Sequence, residues 1–212
     1  MPALEKLFEK YDGLVFFDTE TSGLKANRDQ IIELAAIKLR KVNDRVVVEH
    51  EMDDLIKLPY GTRLAPFITN LTGISTALLA AQGKDENEVA ERFYQMLIGG
   101  KTLLIAHNAR FDIRFTHAML ERHGKDRALR SVDCLDTLKV YKKRRAKNHK
   151  LCDAIEEYGL QDKVCNSHRA IDDVKALIEV TKAMDNERSD LQYFVEDIGG
   201  YLPDEVQYIG LF

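Results

Sequence analysis

The chain has 212 residues, 31 Lys and Arg against 35 Asp and Glu, a formal charge of −4, three Cys and no Trp. At 45% hydrophobic and 31% charged, it excludes wholesale disorder and suits one domain with its own core, extended at most by a tail. No apolar run approaches the ~18 residues of a membrane span, and Cys134, Cys152 and Cys165 form no CxxC pair, so neither a disulfide framework nor a zinc site is supported. Residues 1–10 lack the apolar centre of a signal peptide and read as an amphipathic helix. A reduced, cytoplasmic protein without a membrane partner is expected.

In chain order, apolar runs at 14–17, 31–39 and 46–48 are β-branched or aromatic, and Asn27 and Asn43-Asp44 lie between them. They predict three strands in an antiparallel meander, the first covered on both faces. Residues 77–81 and 86–97 space apolar positions at three and four, which predicts helices. A fourth buried strand over 102–106 precedes a helix over 110–122, and 131–134 predicts a short fifth strand. Helices are expected over about 135–141, 151–158 and 169–184. The fold class is α/β, a mixed five-stranded sheet with helices on both faces. The domain is assigned to residues 10–185, and 186–212 reads as an acidic C-terminal appendage.

Charge is segregated. Seven of the twelve residues 139–150 are Lys or Arg, whereas 185–205 holds seven acids and one base, Arg188. A polyanion responds to the local field rather than the total, so the mild net charge does not exclude nucleic acid. The basic run is equally consistent with a solvated face.

Three acidic groupings carry chemistry. Asp18 and Glu20 end the first strand two residues apart, so their carboxylates share a face and invite a cation. The same spacing at Asp185 and Glu187 reads as a solvated helix end. Asp112 stands where the fourth strand passes into a helix, a common place for α/β sites. His168 and Asp173 are five apart, which suits a histidine on the loop and an acid on the helix that follows.

The strings Phe17-Asp18-Thr19-Glu20-Thr21-Ser22-Gly23-Leu24, His107-Asn108-Ala109-Arg110-Phe111-Asp112 and His168-Arg169-Ala170-Ile171-Asp172-Asp173 occur in that order. Together they resemble the three motifs of the DnaQ-like 3′–5′ exonucleases of the DEDDh group. The resemblance covers roughly residues 10–185, with Asp133 to Leu138 and Leu151 to Ile155 similar to the intermotif region. The sister subgroup has a tyrosine three residues before the last acid; here that position is Ala170.

The resemblance implies a ribonuclease-H-like fold and a pair of divalent cations, Mg²⁺ or Mn²⁺, held by Asp18, Glu20, Asp112 and Asp173, with Asp18 shared. Hard oxygen ligands suit such ions, which promote in-line displacement at phosphorus. His168 is then the general base, since an imidazole can take a proton from water near neutral pH. Thr19, Leu24, His107 and Asn108 are expected to line the substrate, with a core place for Leu24 and a structural pair for His107 and Asn108 as alternatives. Lys142, Lys143, Arg144 and Arg145 are expected to attract the phosphate backbone without reading sequence. The expected substrate is the 3′ end of single-stranded or frayed DNA, in proofreading or repair. RNA ends, or a silent nucleic-acid or polymerase-binding role, are the alternatives. Residues 207–212, starting at Gln207 and ending Leu211-Phe212, resemble segments that dock bacterial proteins on a replication sliding clamp, although Gly210 stands where a larger apolar residue is usual; an apolar terminus packed on its own domain or on a second copy is the alternative.

Overall fold

The computed structural model describes residues 3–165 and 167–202. One six-stranded sheet runs in the order β3-β2-β1-β4-β5-β6. It comprises β1 (Gly13–Thr21), β2 (Ile31–Val42), β3 (Arg45–Leu55), β4 (Thr102–Ala106), β5 (Asp133–Asp136) and β6 (Val195–Asp197). The predicted meander is present: β1 and β2 pair antiparallel, as do β2 and β3. Asn43 and Asp44, at φ 48° and 62°, close the β2–β3 hairpin with the left-handed pair that a two-residue loop requires.

The sheet has six strands rather than the expected five. The sixth follows Asp185 and pairs antiparallel with β5, Leu135 opposite Val195. Its three residues are too short to show alternation in sequence. Residues 186–202 also bury Leu191, Ile198 and Tyr201, so this stretch packs on the domain instead of extending from it as an appendage. Asp185 is buried and accepts a hydrogen bond from the Leu4 backbone N–H at 2.7 Å, which replaces the expected solvated helix end. Residues 203–212, with the Gln207-led segment, lie outside the described residues.

Eight α-helices are described: α1 (Glu5–Phe8), α2 (Pro66–Thr72), α3 (Thr76–Gln82), α4 (Glu86–Leu97), α5 (Ala109–Arg122), α6 (Thr137–Arg144), α7 (Leu151–Glu157) and α8 (Ala170–Glu187). Among the described residues no helix is long and apolar enough to cross a membrane. Side chains alternate along β1, which divides the core. Val15 and Phe17 pack with Phe93 of α4 and Ile113 and Phe115 of α5. Leu14 and Phe16 face the other way, onto Val174, Leu177 and Val180 of α8. Each fully buried Leu, Ile or Phe contributes ~1.5–3 kcal/mol, so both helix layers are held firmly against the central strand.

β1 pairs antiparallel with β2 on one side and parallel with β4 on the other. Its neighbours therefore arrive from different connections at its C-terminal end, and a crevice opens there. Asp18 and Glu20 stand at that end.

Candidate active site

The alternation that divides the core also distributes the site. Asp18 and Glu20 continue the face of Leu14 and Phe16, toward α8, while Thr19 turns toward α5. Glu20 is half-buried, and its carboxylate comes together with the His168 imidazole and the buried Asp173 carboxylate: one ligand atom from each lies within 4.8 Å of the others. Asp18 lines the same cavity of ≈ 580 Å³ as His168 and Asp173. His168 occupies the loop before α8 and Asp173 its first turn, as the five-residue spacing requires. His168 has φ 57°, a left-handed conformation uncommon outside glycine.

Asp112 is buried in the first turn of α5. Its Oδ1 accepts two hydrogen bonds from Thr19, one from the backbone N–H at 3.0 Å and one from the hydroxyl at 2.7 Å. Thr19 is thus a clamp on Asp112 rather than an open substrate contact. The clamp fixes Asp112 beside the end of β1, where it is the strongest charge acting on Asp18 after burial itself.

These carboxylates crowd one another. Burial, then the charges of Asp112, Asp173, Glu20 and Glu33, raise the pKa of Asp18 well above the ordinary carboxylate range. Burial, then Asp173 and Glu33, push Glu20 up to about 8. Burial pushes Asp112 up to about 7 against the opposing hydrogen bonds from Thr19. The nearby cation, Arg169, donates from Nε and Nη2 to Glu33 at 2.8 and 2.5 Å and offsets the rise at Glu20 only in part. A divalent cation fits such a set, because hard oxygen donors and concentrated negative charge are what it selects.

Glu33 is a residue that sequence reasoning missed. It is fully buried on β2, directly opposite Glu20, and also accepts a hydrogen bond from the Ala170 N–H at 2.9 Å. It therefore joins β2 to the first residue of α8 and to Arg169, next to His168. The available signal was one charge, Glu33, inside the apolar run Ile31-Ile32-Glu33-Leu34-Ala35, since a buried acid demands partners.

The remaining expected contacts divide. His107 uses both ring nitrogens within the fold: Nε2 lies 2.7 Å from the His149 carbonyl oxygen and Nδ1 3.0 Å from the Thr137 hydroxyl. Burial lowers its pKa, and Nε2–H is the donor to the carbonyl oxygen. It still borders the Asp18 cavity. Asn108 is exposed at φ 71°, its backbone N–H donating to Asp136 Oδ1 at 3.0 Å. Leu24 is 80% exposed, which excludes a core role. Lys142 lines the Asp18 cavity, and Lys143 is exposed on the same helix.

Arg144 and Arg145, unlike the exposed Lys142 and Lys143, are engaged in ion pairs within the fold. The Arg144 side chain is 4% exposed and donates to the Met184 carbonyl oxygen, Glu187 and Asp190. Arg145 pairs with Glu157 and Glu187 at 2.7 and 3.0 Å. The acidic end of α8 neutralises the basic end of α6, two segments too far apart in sequence for charge counting to connect.

With this arrangement established, comparison decides the family. The model of the exonuclease family of ribonuclease T matches residues 15–181. The chain belongs to that family. It is 33% identical over 166 residues to the PolC-type DNA polymerase III of Caldanaerobacter subterraneus, and 33% over 174 residues to that of Clostridium perfringens. These alignments cover 78% and 81% of this chain and 11% of each relative, so the chain matches about a tenth of their length. Among solved structures, Escherichia coli exonuclease I in complex with a dT13 oligonucleotide superposes with a TM-score of 0.75 at 21% identity, over 86% of this chain and 43% of the other. Exonuclease I from Methylocaldum szegediense gives 0.71 at 21%, over 86% and 42%. The DnaQ-like resemblance and the ribonuclease-H-like fold that it implies both hold for this chain.

Proposed function

We propose that the chain is a metal-dependent 3′–5′ exonuclease of the DEDDh type, releasing nucleoside monophosphates from single-stranded or frayed DNA ends in proofreading or repair. The observation that carries this reading is the convergence of Glu20, Asp173 and His168 within 4.8 Å, beside Asp18 in one cavity. The PolC-type relatives are named as DNA polymerases and the exonuclease I structures hold oligonucleotides, which supports DNA as the substrate and a polymerase as a working partner.

Two divalent cations, Mg²⁺ or Mn²⁺, held by Asp18, Glu20, Asp112 and Asp173, would supply Lewis-acid stabilisation of charge on the scissile phosphate and on the departing 3′ oxygen. The protein's own residues do the rest. His168 stands at the cavity with its imidazole beside Glu20 and Asp173, where it accepts the proton of the attacking water. The water oxygen bonds to phosphorus, the P–O3′ bond breaks, and the pair returns to the 3′ oxygen of the shortened strand. Thr19 keeps Asp112 in place, and Glu33 holds Arg169 and the start of α8 so that His168 faces the sheet end.

A 5′-labelled single-stranded DNA oligonucleotide and its RNA counterpart, each with Mg²⁺, Mn²⁺ or EDTA, test the reading against Asp18→Ala. The expected result is a metal-dependent ladder shortening from the 3′ end, absent in the variant and faster on DNA. A fully active Asp18→Ala, or folded wild-type protein that cuts neither strand, would refute it. Preference for RNA would move the substrate class and keep the chemistry.

A further inference from the structure

β3 is the outer strand of the sheet, and among the described residues no strand covers its far side. Its first half presents Val46, Val47 and Val48, which with Val42 across the hairpin are 40–56% exposed. An open edge carrying a run of valines is a template for another strand, and unused edges are usually blunted by charge, proline or an early bulge. Here the blunting comes only after the valines. β3 bulges at Glu49, between the pairs Leu39–Val48 and Lys38–His50.

The pairings fix how each residue stands on that edge. The two-residue loop Asn43-Asp44 makes Val42 and Arg45 the hydrogen-bonded pair that closes the hairpin. By alternation Val47 turns its N–H and C=O toward β2, while Val46 and Val48 turn theirs outward. Arg40 stands opposite Val47 and pairs with Glu49 at 2.8 Å. Arg45, Val47 and Glu49 therefore share one face, and Val46 and Val48 the other.

We propose that this edge joins two copies of the chain, β3 against β3, antiparallel about a two-fold axis through Val47. Val46 of each copy then exchanges both backbone bonds with the second copy's Val48, the groups that face outward. Those valines meet on one face, and Val47 meets its own counterpart on the other. Arg45, which has no ion pair among the described residues, comes to stand opposite the second copy's Glu49. Charge selects this register. Centring the axis on Val46 would face Arg45 with Val47, and centring it on Val48 would face it with Glu51, which the bulge turns toward Lys175 of α8. The bulge ends the pairing and a two-fold uses each edge once, so the assembly closes as a dimer. Glu20 aligns through Glu33 with Leu55, seven residues past Val48, or ~20 Å at ~3.3 Å per residue. Both catalytic crevices stay open.

Sedimentation velocity of the full chain from about 1 to about 100 µM tests this, a range suited to an interface at the small end of the size scale. Wild type is expected to pass from monomer to dimer and no further. Val47→Lys sets two like charges opposite each other on the axis and is expected to weaken association at least about tenfold, with an unchanged far-ultraviolet circular dichroism spectrum. Cysteine pairs read the register, in a background carrying Cys152→Ser and Cys165→Ser. Val47→Cys brings two thiols together at a Cα separation of ~4.5 Å and is expected to form a crosslinked dimer on mild oxidation. Val48→Cys, whose counterpart lies on the diagonal at ~7–8 Å, is expected to crosslink far more slowly. A wild type that stays monomeric over the whole range, equal association by Val47→Lys, or a Val47→Cys crosslink no faster than that of Val48→Cys would overturn the proposal.

Discussion

The two halves of the site are held by different physics. Asp18 and Glu20 belong to a strand hydrogen-bonded on both sides in its first half, and Asp112 is locked to that strand by two bonds from Thr19. Their positions follow from the same ladder and core that define the fold. His168 and Asp173 come from the opposite layer, one on a left-handed loop residue and one on the first turn of α8. The fixed point described between β2 and that loop is Glu33, through Arg169 and the Ala170 N–H. A sheet-borne half can tolerate charge repulsion because its backbone has nowhere to go. A loop-borne half depends on a buried ionic clasp, whose loss moves the residue it carries.

The largest effect should come from the rigid half. Asp18→Asn is expected to abolish hydrolysis, by more than the ~10²–10⁴ that loss of a general base costs, while the metal-free protein becomes more stable. The sign follows from the raised pKa values. Acids whose folded pKa lies above the unfolded value bind more protons when folded, so stability falls as pH rises through that window. For Glu20 and Asp112 the window runs from the ordinary carboxylate range up to about 8 and about 7. Thermal melts in EDTA should therefore show the wild-type midpoint falling between about pH 5 and pH 8. Asp18→Asn should fall less, and Mg²⁺ should recover the wild type most at the alkaline end. A wild-type midpoint in EDTA that rises over this range would contradict the crowding of the acids.

The clasp should give a middle effect. Glu33→Gln keeps the volume and one acceptor but leaves Arg169 without its buried partner, and breaking such a pair costs ~3–5 kcal/mol when the remaining charge stays buried. Arg169 is partly exposed, so the stability loss should fall below that range. The functional readout is sharper: kcat should drop roughly tenfold or more from misplacement of the base, with dT8 affinity in EDTA held near the wild-type value. A proportionate loss of affinity and kcat would make Glu33 a general support of the fold instead of a positioning residue for His168.

Much of this architecture was legible from periodicity. The strand over 102–106 and the helix over 86–97 coincide with β4 and α4, because their apolar spacing is dictated by burial on one or two faces. The candidate site residues were singled out by resemblance to three family motifs instead, since Asp18, Asp112 and His168 taken one at a time read equally well as residues that merely end a strand or start a helix. What stayed hidden depends on partners remote in sequence. Thr19 reads as a site-lining hydroxyl until Asp112, 93 residues away, is seen to accept from it. Arg144 reads as a surface cation until α8 delivers Asp190 and the Met184 carbonyl to it. β6 has no pattern to read, since three residues paired to β5 are fixed by the packing of Leu191, Ile198 and Tyr201 around them.

The basic run supplies the smallest and most discriminating comparison. Lys142 lines the Asp18 cavity, whereas Arg144, two residues on, is buried in ion pairs. Removing Lys142 as Gln should reduce the salt slope of single-strand binding by ~0.7, the value of one phosphate contact, with no change in melting temperature. Arg144→Gln should leave the slope unchanged and lower the melting temperature, because Asp190 and Glu187 lose a desolvated partner. Equal slopes in all three proteins would return Lys142 to a solvated face. A slope reduced by Arg144→Gln would mean that the α6–α8 ion pairs open to meet substrate, and the division between structural and substrate-facing cations would have to be redrawn at that helix end.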